Sequence, residues 1–376
     1  MEFIHYYKSR KGEMINLLKK LVDLESPSSD KKAVDRCASF AAAQFRKSGA
    51  KITDFPQKDI GNLHLVEYPH PGPKEMKERV TLLTHVDTVW PKGKIKEMPF
   101  YVSGDKIYGP GVLDMKAGLV MAVFSLRTLR DLNIEPRKKI TVFMNSAEEI
   151  GSDPANEMIR NLAKRSSCIL CLEPALPGGA LKVQRKGRMD ISLETKGKSA
   201  HAGNPQNGVN AVEELLQQLR HLQKLKTKSI TMNIGVIRGG IRVNIVPDEA
   251  GAHLDFRFWK SIQKDKIIQF FNELQPTIKG AKIKYAVKSY LPPMEKTPAS
   301  EKLLNQVRNI AASMGLILQW GKTGGGSDAS IAATMGTATL DGLGPDGDGI
   351  HAADEHLLIS SLVERTALLT EILRQL

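Results

Sequence analysis

No stretch of the sequence reaches the roughly 20 consecutive apolar residues that a membrane-crossing helix requires, so a transmembrane span is excluded on length. Cysteine is scarce. Three residues among 376, an odd number, offer no disulfide framework. Two of them, in Cys168-Ile169-Leu170-Cys171, have the spacing of a metal or redox motif, but they lie in an apolar run that reads as a strand. Residues three apart on a strand face opposite ways, so these thiols cannot share one ion. The first residues, Met1-Glu2-Phe3-Ile4-His5-Tyr6-Tyr7, lack the basic region and apolar core of a secretory leader, and residence in the cytoplasm is the expectation. Short tandem repeats and low-complexity tails are absent too. No zinc finger, recognition helix or RNA-binding signature accompanies the net charge of +13. Neither a nucleic acid nor a membrane is therefore expected as a partner; a basic field equally steers small anions into a cleft.

What is present centres on Thr84-His85-Val86-Asp87-Thr88, which follows the apolar run Val80, Leu82, Leu83. A strand throws residues i and i+2 onto one face, so His85 and Asp87 share a face at a strand's carboxyl end. That is where sites form in open α/β sheets. A core histidine paired with an acid is one reading; a metal ligand steadied by an acid is the other. Asp114, in Leu113-Asp114-Met115-Lys116, stands at a loop–helix junction, as a helix cap or as a carboxylate projecting to a metal. Glu148 and Glu149 follow the apolar strand 139–146, and Glu173 follows the strand 168–172. Adjacent acids at a buried strand end are costly unless paired. Their side chains diverge, so one can bind metal while the other handles a proton. Several strand-end acids alternating with helices predict convergence at one sheet edge.

The remaining elements are read from periodicity and punctuation. Helices are expected over 10–25 (Met14, Leu17, Leu18, Leu21 and Leu24 inward), from Ser29 or Asp30 to near Gly49, and over 115–131, 299–313 and 358–375, the last amphipathic. Strands are expected at 62–68 and 78–85, with Pro71-Gly72-Pro73 separating them, and at 316–320. A chain this long suits two domains. From 179 the composition shifts: residues 179–293 hold roughly 20 Lys and Arg against 9 Asp and Glu. Strand 188–196, helix 208–224, strands 230–238 and 250–258, helix 261–275 and strand 282–289 give the β-α-β-β-α-β order of a ferredoxin-like unit. The expected organisation is a first domain in two parts, 1–178 and 294–376, around an inserted unit at 179–293. Its fold class is α/β, with a mixed, mostly parallel sheet flanked by helices. Gly324-Gly325-Gly326-Ser327-Asp328 opens a helix, where backbone N–H groups favour an anion. His351 ends a long loop, and His201 lies in another, Lys198-Ser199-Ala200-His201-Ala202-Gly203.

Taken in order, these motifs resemble the M20 family of metallopeptidases, over nearly the whole chain. The similarity is greatest to its glutamate carboxypeptidase branch, through Thr84–Val89, Tyr108-Gly109-Pro110-Gly111, the His201 loop and the Gly324–Ala329 segment. The resemblance implies two Zn2+ ions per subunit, or Co2+ or Mn2+ in their place, bridged by Asp114. His85 and Glu173 would complete one site, and Glu149 and His351 the other. It implies that Asp87 orients His85, that Glu148 is the general acid/base, and that His201 stabilises the oxyanion from a partner subunit, hence a homodimer, with 1–178 and 294–376 the catalytic domain and the α+β insert 179–293 its lid and dimerisation domain. Asn244 and Arg257 match substrate-binding positions of the family, and Gly325, Gly326 and Ser327 are candidates for holding the substrate carboxylate. Where the glutamate carboxypeptidases carry a carboxylate-gripping arginine, this sequence reads Val287-Lys288-Ser289-Tyr290. Lys288 supplies charge without the bidentate fork. The expected activity is hydrolysis of a small peptide or N-acyl amino acid that releases a C-terminal amino acid, glutamate among the candidates. The alternatives are a deacylase or dipeptidase for neutral residues, and a non-catalytic anion-binding protein on the same scaffold.

Overall fold

The computed structural model describes residues 2–70 and 78–376; the Pro71-Gly72-Pro73 break lies outside them. The chain divides into two compact units. One comprises Met1–Val183, Lys296–Lys322 and Ser327–Leu376, and the other Gln184–Glu295 with Thr323–Gly326. The second unit begins at Gln184, beyond the composition shift at 179, and includes the glycine run Gly324–Gly326.

The first unit is built on a six-stranded sheet in the order Lys51–Phe55, Leu63–Glu67, Lys139–Asn145, Arg79–His85, Cys168–Cys171, Ala338–Leu340. The last four run parallel, and the first two pair antiparallel. The parallel strands are apolar on both faces, as a sheet covered on both sides requires. Val80, Leu82, Val142 and Leu170 join the main core with the helices Lys11–Asp23, Lys31–Arg46, Ala117–Asp131, Pro298–Ser313 and Ile359–Gln375. Leu83, Phe143 and Ile169 are buried outside that cluster, on the face where Asp153–Lys164 and Asp328–Ala333 pack. Cys168 belongs to the main core and Cys171 does not, as opposite faces demand; both are buried. Among the described residues no helix is long and apolar enough to cross a membrane.

The second unit carries a four-stranded antiparallel sheet, ordered Ile230–Gly239, Glu249–Phe258, Gly187–Lys196, Lys282–Leu291. The helices Ala211–Leu222 and Ser261–Asn272 contribute to its own core, which includes Leu215, Leu219, Leu254, Phe256, Ile267 and Phe271. This is the ferredoxin-like order.

Several expectations need correction. The helix expected over 10–25 is Lys11–Asp23, and a further helix that was not expected, Glu2–Ser9, precedes it. The helix expected from 115 starts at Ala117, because Val112–Lys116 forms a wider turn containing a cis Asp114–Met115 peptide. The strand expected at 316–320 is Trp320–Thr323. The last helix is not amphipathic. Arg365, Thr366, Thr370 and Glu371 are buried in it, because Arg365 donates to the Gly342 and Gly344 carbonyls and both threonines bond back to their own helix. A hairpin, Tyr101–Ser103 with Lys106–Tyr108, went unread because its first strand is wholly exposed and carries no alternation.

Candidate metal centre

Three of the parallel strands deliver acid or histidine to the same sheet edge. His85 is the last residue of Arg79–His85. Lys139–Asn145 leads through Ser146 and Ala147 to Glu148 and Glu149, and Cys168–Cys171 leads through Leu172 to Glu173. Asp114 arrives from the turn before the helix Ala117–Asp131, and His351 from the loop after Gly347–Asp348.

The geometry is that of two triads sharing one carboxylate. His85 Nε2 lies 3.3 Å from Asp114 Oδ1 and 3.5 Å from Glu173 Oε1. His351 Nε2 lies 3.3 Å from Asp114 Oδ2 and 3.3 Å from Glu149 Oε1. Each triad places its donor atoms within 4.8 Å of one another. Asp114 therefore presents one oxygen to each histidine. His85, Asp114 and Glu173 are buried, while His351 is half-exposed.

Asp87, fully buried, serves four neighbours. Its backbone carbonyl lies 3.0 Å from His85 Nδ1 and its Oδ1 3.4 Å away, so the carbonyl is the closer acceptor. Its carboxylate accepts the Glu148 N–H at 3.1 Å, the Glu149 N–H at 3.2 Å and the Ser28 hydroxyl at 2.7 Å. The same acid thus holds the turn that carries both glutamates.

Crowding carboxylates away from water moves their proton affinities apart. Burial, with the Glu173 charge beside it, pushes Glu148 well above the usual carboxylate range, and burial also raises Glu149. Burial works against Asp114 ionisation too, but hydrogen bonds from His351 and His85 outweigh it and hold that carboxyl low. His351 is pushed up to about 10 by Asp114 and Glu149. For His85, burial opposes the charge, yet bonds with Asp114, Asp87 and Glu173 raise it well above the ordinary value.

The other expected residues belong mostly to the second unit. His201 is exposed, on a two-residue strand paired with Ile245–Val246. Its Nδ1 accepts the Gly203 N–H at 3.0 Å, which leaves Nε2 to carry the ring proton. The exposed Asn244 accepts the Ala202 N–H through its backbone carbonyl at 3.0 Å. Arg257 bonds Asp255 through Nε and Nη2 and the Gly324 carbonyl through Nη1. Lys288 is exposed at a bulge in the strand Lys282–Leu291. The Gly325 and Gly326 carbonyls accept from Arg185 Nη1 at 3.1 and 2.8 Å. Ser327, in the first unit, uses its hydroxyl to cap Asp328–Ala333 and to donate to Asp341 at 2.6 Å.

Sequence reasoning missed Ser28, Asn145 and Asp328 as parts of this neighbourhood. Asn145 Nδ2 donates to the buried Asp328 Oδ2 at 2.8 Å, while Asn145 Oδ1 accepts the Ala147 N–H at 3.0 Å. Burial pushes Asp328 up to about 7. Asn145, as the last residue of a readable strand, carried the one available signal.

Comparison with known proteins identifies the family. The family described as peptidase family M20/M25/M40 matches residues 81–375. Carboxypeptidase G2 from a Pseudomonas species is 28% identical over 362 residues, covering 94% of this chain and 86% of that protein. Among solved structures, the aminopeptidase PepT of Bacillus cereus superposes with a TM-score of 0.80 at 21% identity, over 97% of this chain and 98% of that one. A dinuclear metal binding peptidase of family M20 from Bacillus subtilis superposes with a TM-score of 0.71 at 16% identity, over 98% of each chain. The chain is thus a member of peptidase family M20/M25/M40, a metallopeptidase and amidohydrolase.

Proposed function

We propose that this enzyme hydrolyses the amide bond of a small peptide or N-acyl amino acid at a two-metal centre and releases the C-terminal amino acid. One observation carries the reading: Asp114 presents its two oxygens to two separate histidine–carboxylate pairs. Imidazole nitrogen and carboxylate oxygen are the donors zinc accepts. Buried carboxylates at this density also need cations to offset them. The donor set fits two divalent ions: His85, Glu173 and Asp114 would hold one, and Glu149, His351 and Asp114 the other. Zinc is the assignment, with Co2+ or Mn2+ as substitutes. When bound, such a pair supplies Lewis acidity toward the scissile carbonyl and lowers the pKa of water.

The chain's own residues do the rest. Glu148 takes the proton of the attacking water on its carboxylate and passes it to the leaving amine nitrogen. Its raised proton affinity suits both halves of that transfer. Asp87 keeps Glu148 in place through the backbone. His201, donating from Nε2, stabilises the oxyanion in a homodimer, where the partner subunit supplies it. Backbone N–H groups of Gly325, Gly326 and Ser327 receive the substrate carboxylate, and Asn244, Arg257 and Lys288 are the further candidates for substrate contacts. The proposed setting is the cytoplasm, which a chain with only three cysteines, an odd number, suits.

A second reading, a deacylase or dipeptidase for neutral residues, draws support from Arg257. Its guanidinium is already bonded to Asp255 and Gly324, which leaves Lys288, among the expected substrate contacts, to answer for an acidic side chain. Amino-acid release from N-acyl amino acids and dipeptides ending in Glu, Asp, Leu, Ala or Arg, by zinc-reloaded protein, separates the two. Preference for Glu and Asp supports the first reading, and preference for Leu or Ala the second. No release from any of them refutes the hydrolytic assignment for this substrate class. Glu148→Ala should abolish turnover and keep both metals; unchanged turnover refutes its role.

A further inference from the structure

Glu355 takes no part in either triad, yet it is fully buried and its carboxylate accepts four directed hydrogen bonds. Its Oε2 accepts the Gly111 N–H and the Trp90 indole N–H, both at 2.9 Å. Its Oε1 accepts the Leu113 N–H at 2.9 Å and the Asp114 N–H at 3.1 Å. Four donors on one carboxylate offset the cost of burying it. Three of those donors belong to the turn that presents Asp114. That turn has no freedom to be replaced by a simpler one. Gly111 sits at φ +70°, and a Cβ there would lie 2.5 Å from Thr88 Cγ2.

The backbone of Glu355 belongs to the other loop. Its N–H donates to the Ala352 carbonyl at 3.1 Å, and its carbonyl accepts the Gly109 N–H at 3.3 Å. The Ala352 N–H in turn donates to the Gly349 carbonyl at 2.8 Å, closing the turn in which His351 stands at φ +60°. One residue therefore joins the loop of Asp114 to the loop of His351, and those two side chains meet at 3.3 Å.

We propose that Glu355 is a positioning residue that fixes Asp114 between the two metal positions, so that its loss weakens metal binding rather than only the fold. The inference rests on the two-metal reading. It is distinguishable from a structural role because the carboxylate cannot be replaced by its amide. Glutamine has one acceptor oxygen. Whichever way its amide is turned, its NH2 faces either the Gly111 and Trp90 donors or the Leu113 and Asp114 donors.

The experiment is Co2+ titration of metal-stripped wild type, Glu355→Gln, Glu355→Asp and Trp90→Phe, read by bound equivalents, the cobalt absorption spectrum and the melting profile without metal. Wild type should bind two equivalents. Glu355→Gln should bind at least one of them about 10–100-fold more weakly, with an altered spectrum, as loss of groups supporting metal ligands does. Trp90→Phe removes one donor outside the Asp114 turn and should keep both equivalents near wild-type affinity. Two equivalents at wild-type affinity in a folded Glu355→Gln overturn the inference, as does a lowered melting temperature without any change in affinity. If Glu355→Gln does not fold, Glu355→Asp decides by the same criteria: it keeps the charge but retracts it by one methylene, so weakened binding supports the inference and wild-type binding overturns it. Fewer than two equivalents in wild type overturn the two-metal reading and this inference together, whereas two in wild type and an unaffected Glu355→Gln overturn this inference alone.

Discussion

Asp87→Asn tests whether the turn carrying Glu148 and Glu149 is held from the strand end beside it. The aspartate uses Oδ1 for the Glu148 N–H and Oδ2 for the Glu149 N–H. Asparagine can serve only one of them. Its NH2 then opposes the other N–H, two donors face to face. The Ser28 hydroxyl can turn to accept, so that contact adds little to the loss. A hydrogen bond to a charged group is worth about 1.5–3 kcal/mol. Expressed in full in the transition state, at about 1.36 kcal/mol per tenfold, this gives a fall in kcat of about 10- to 150-fold. The fall should appear in kcat and kcat/KM together, because a displaced Glu148 affects proton transfer rather than substrate binding. The assay is steady-state amino-acid release on the best substrate of the panel, alongside metal content and melting temperature. A kcat within about twofold of wild type, in protein with its full metal content, refutes the positioning argument.

The other predictions concern stability. Burial raises the Asp328 carboxyl from 3.8 to about 7, so the native protein keeps a proton there that the unfolded chain has released. Stability contributed by that group is present below the lower value and lost as pH rises through the window. As pH rises across that range, metal-stripped Asp328→Asn should gain melting temperature relative to metal-stripped wild type; parallel curves refute the assignment. Gly344 donates to the Glu173 carbonyl at 2.9 Å, and a Cβ on it would lie 2.6 Å from both the Leu172 and Glu173 carbonyl oxygens. Gly344→Ala should cost about 1–3 kcal/mol, as overpacking against backbone does, seen as a lower urea midpoint at unchanged slope. An unchanged midpoint shows that the loop can move aside.

What the sequence made legible follows from distance along the chain. His85, Glu148, Glu149 and Glu173 were readable because each comes within a few residues of an apolar run that can only be a buried strand. The second unit's order was readable because its strands alternate and its helices keep a 3.6-residue period. The support of the site was not legible. Glu355 draws its four donors from Trp90 and from residues 111–114, more than 240 residues earlier. Asp328 meets Asn145 across 183 residues. Spacing rules have no reach over such separations. The last helix misled for a related reason: Arg365 and Thr370 look like solvent-facing residues until the carbonyls and hydroxyls that satisfy them are in place.

The first unit is not continuous in sequence, and this has a consequence for how the protein is made. Cys168–Cys171 pairs with Ala338–Leu340, and everything from Gln184 to Glu295 intervenes. On the ribosome, the second unit's main segment is complete while the first still lacks its last sheet strand, His351 and the helix Ile359–Gln375. During that interval Cys168–Cys171 is an open sheet edge, a template for pairing with another chain, and apolar faces due to be covered by the last helix remain bare. Domains fold as units during synthesis, so a translational pause after the insert would leave a finished second unit attached to an unfinished catalytic one. Aggregation of nascent chains should therefore peak for lengths between the end of the insert and the arrival of Ala338–Leu340.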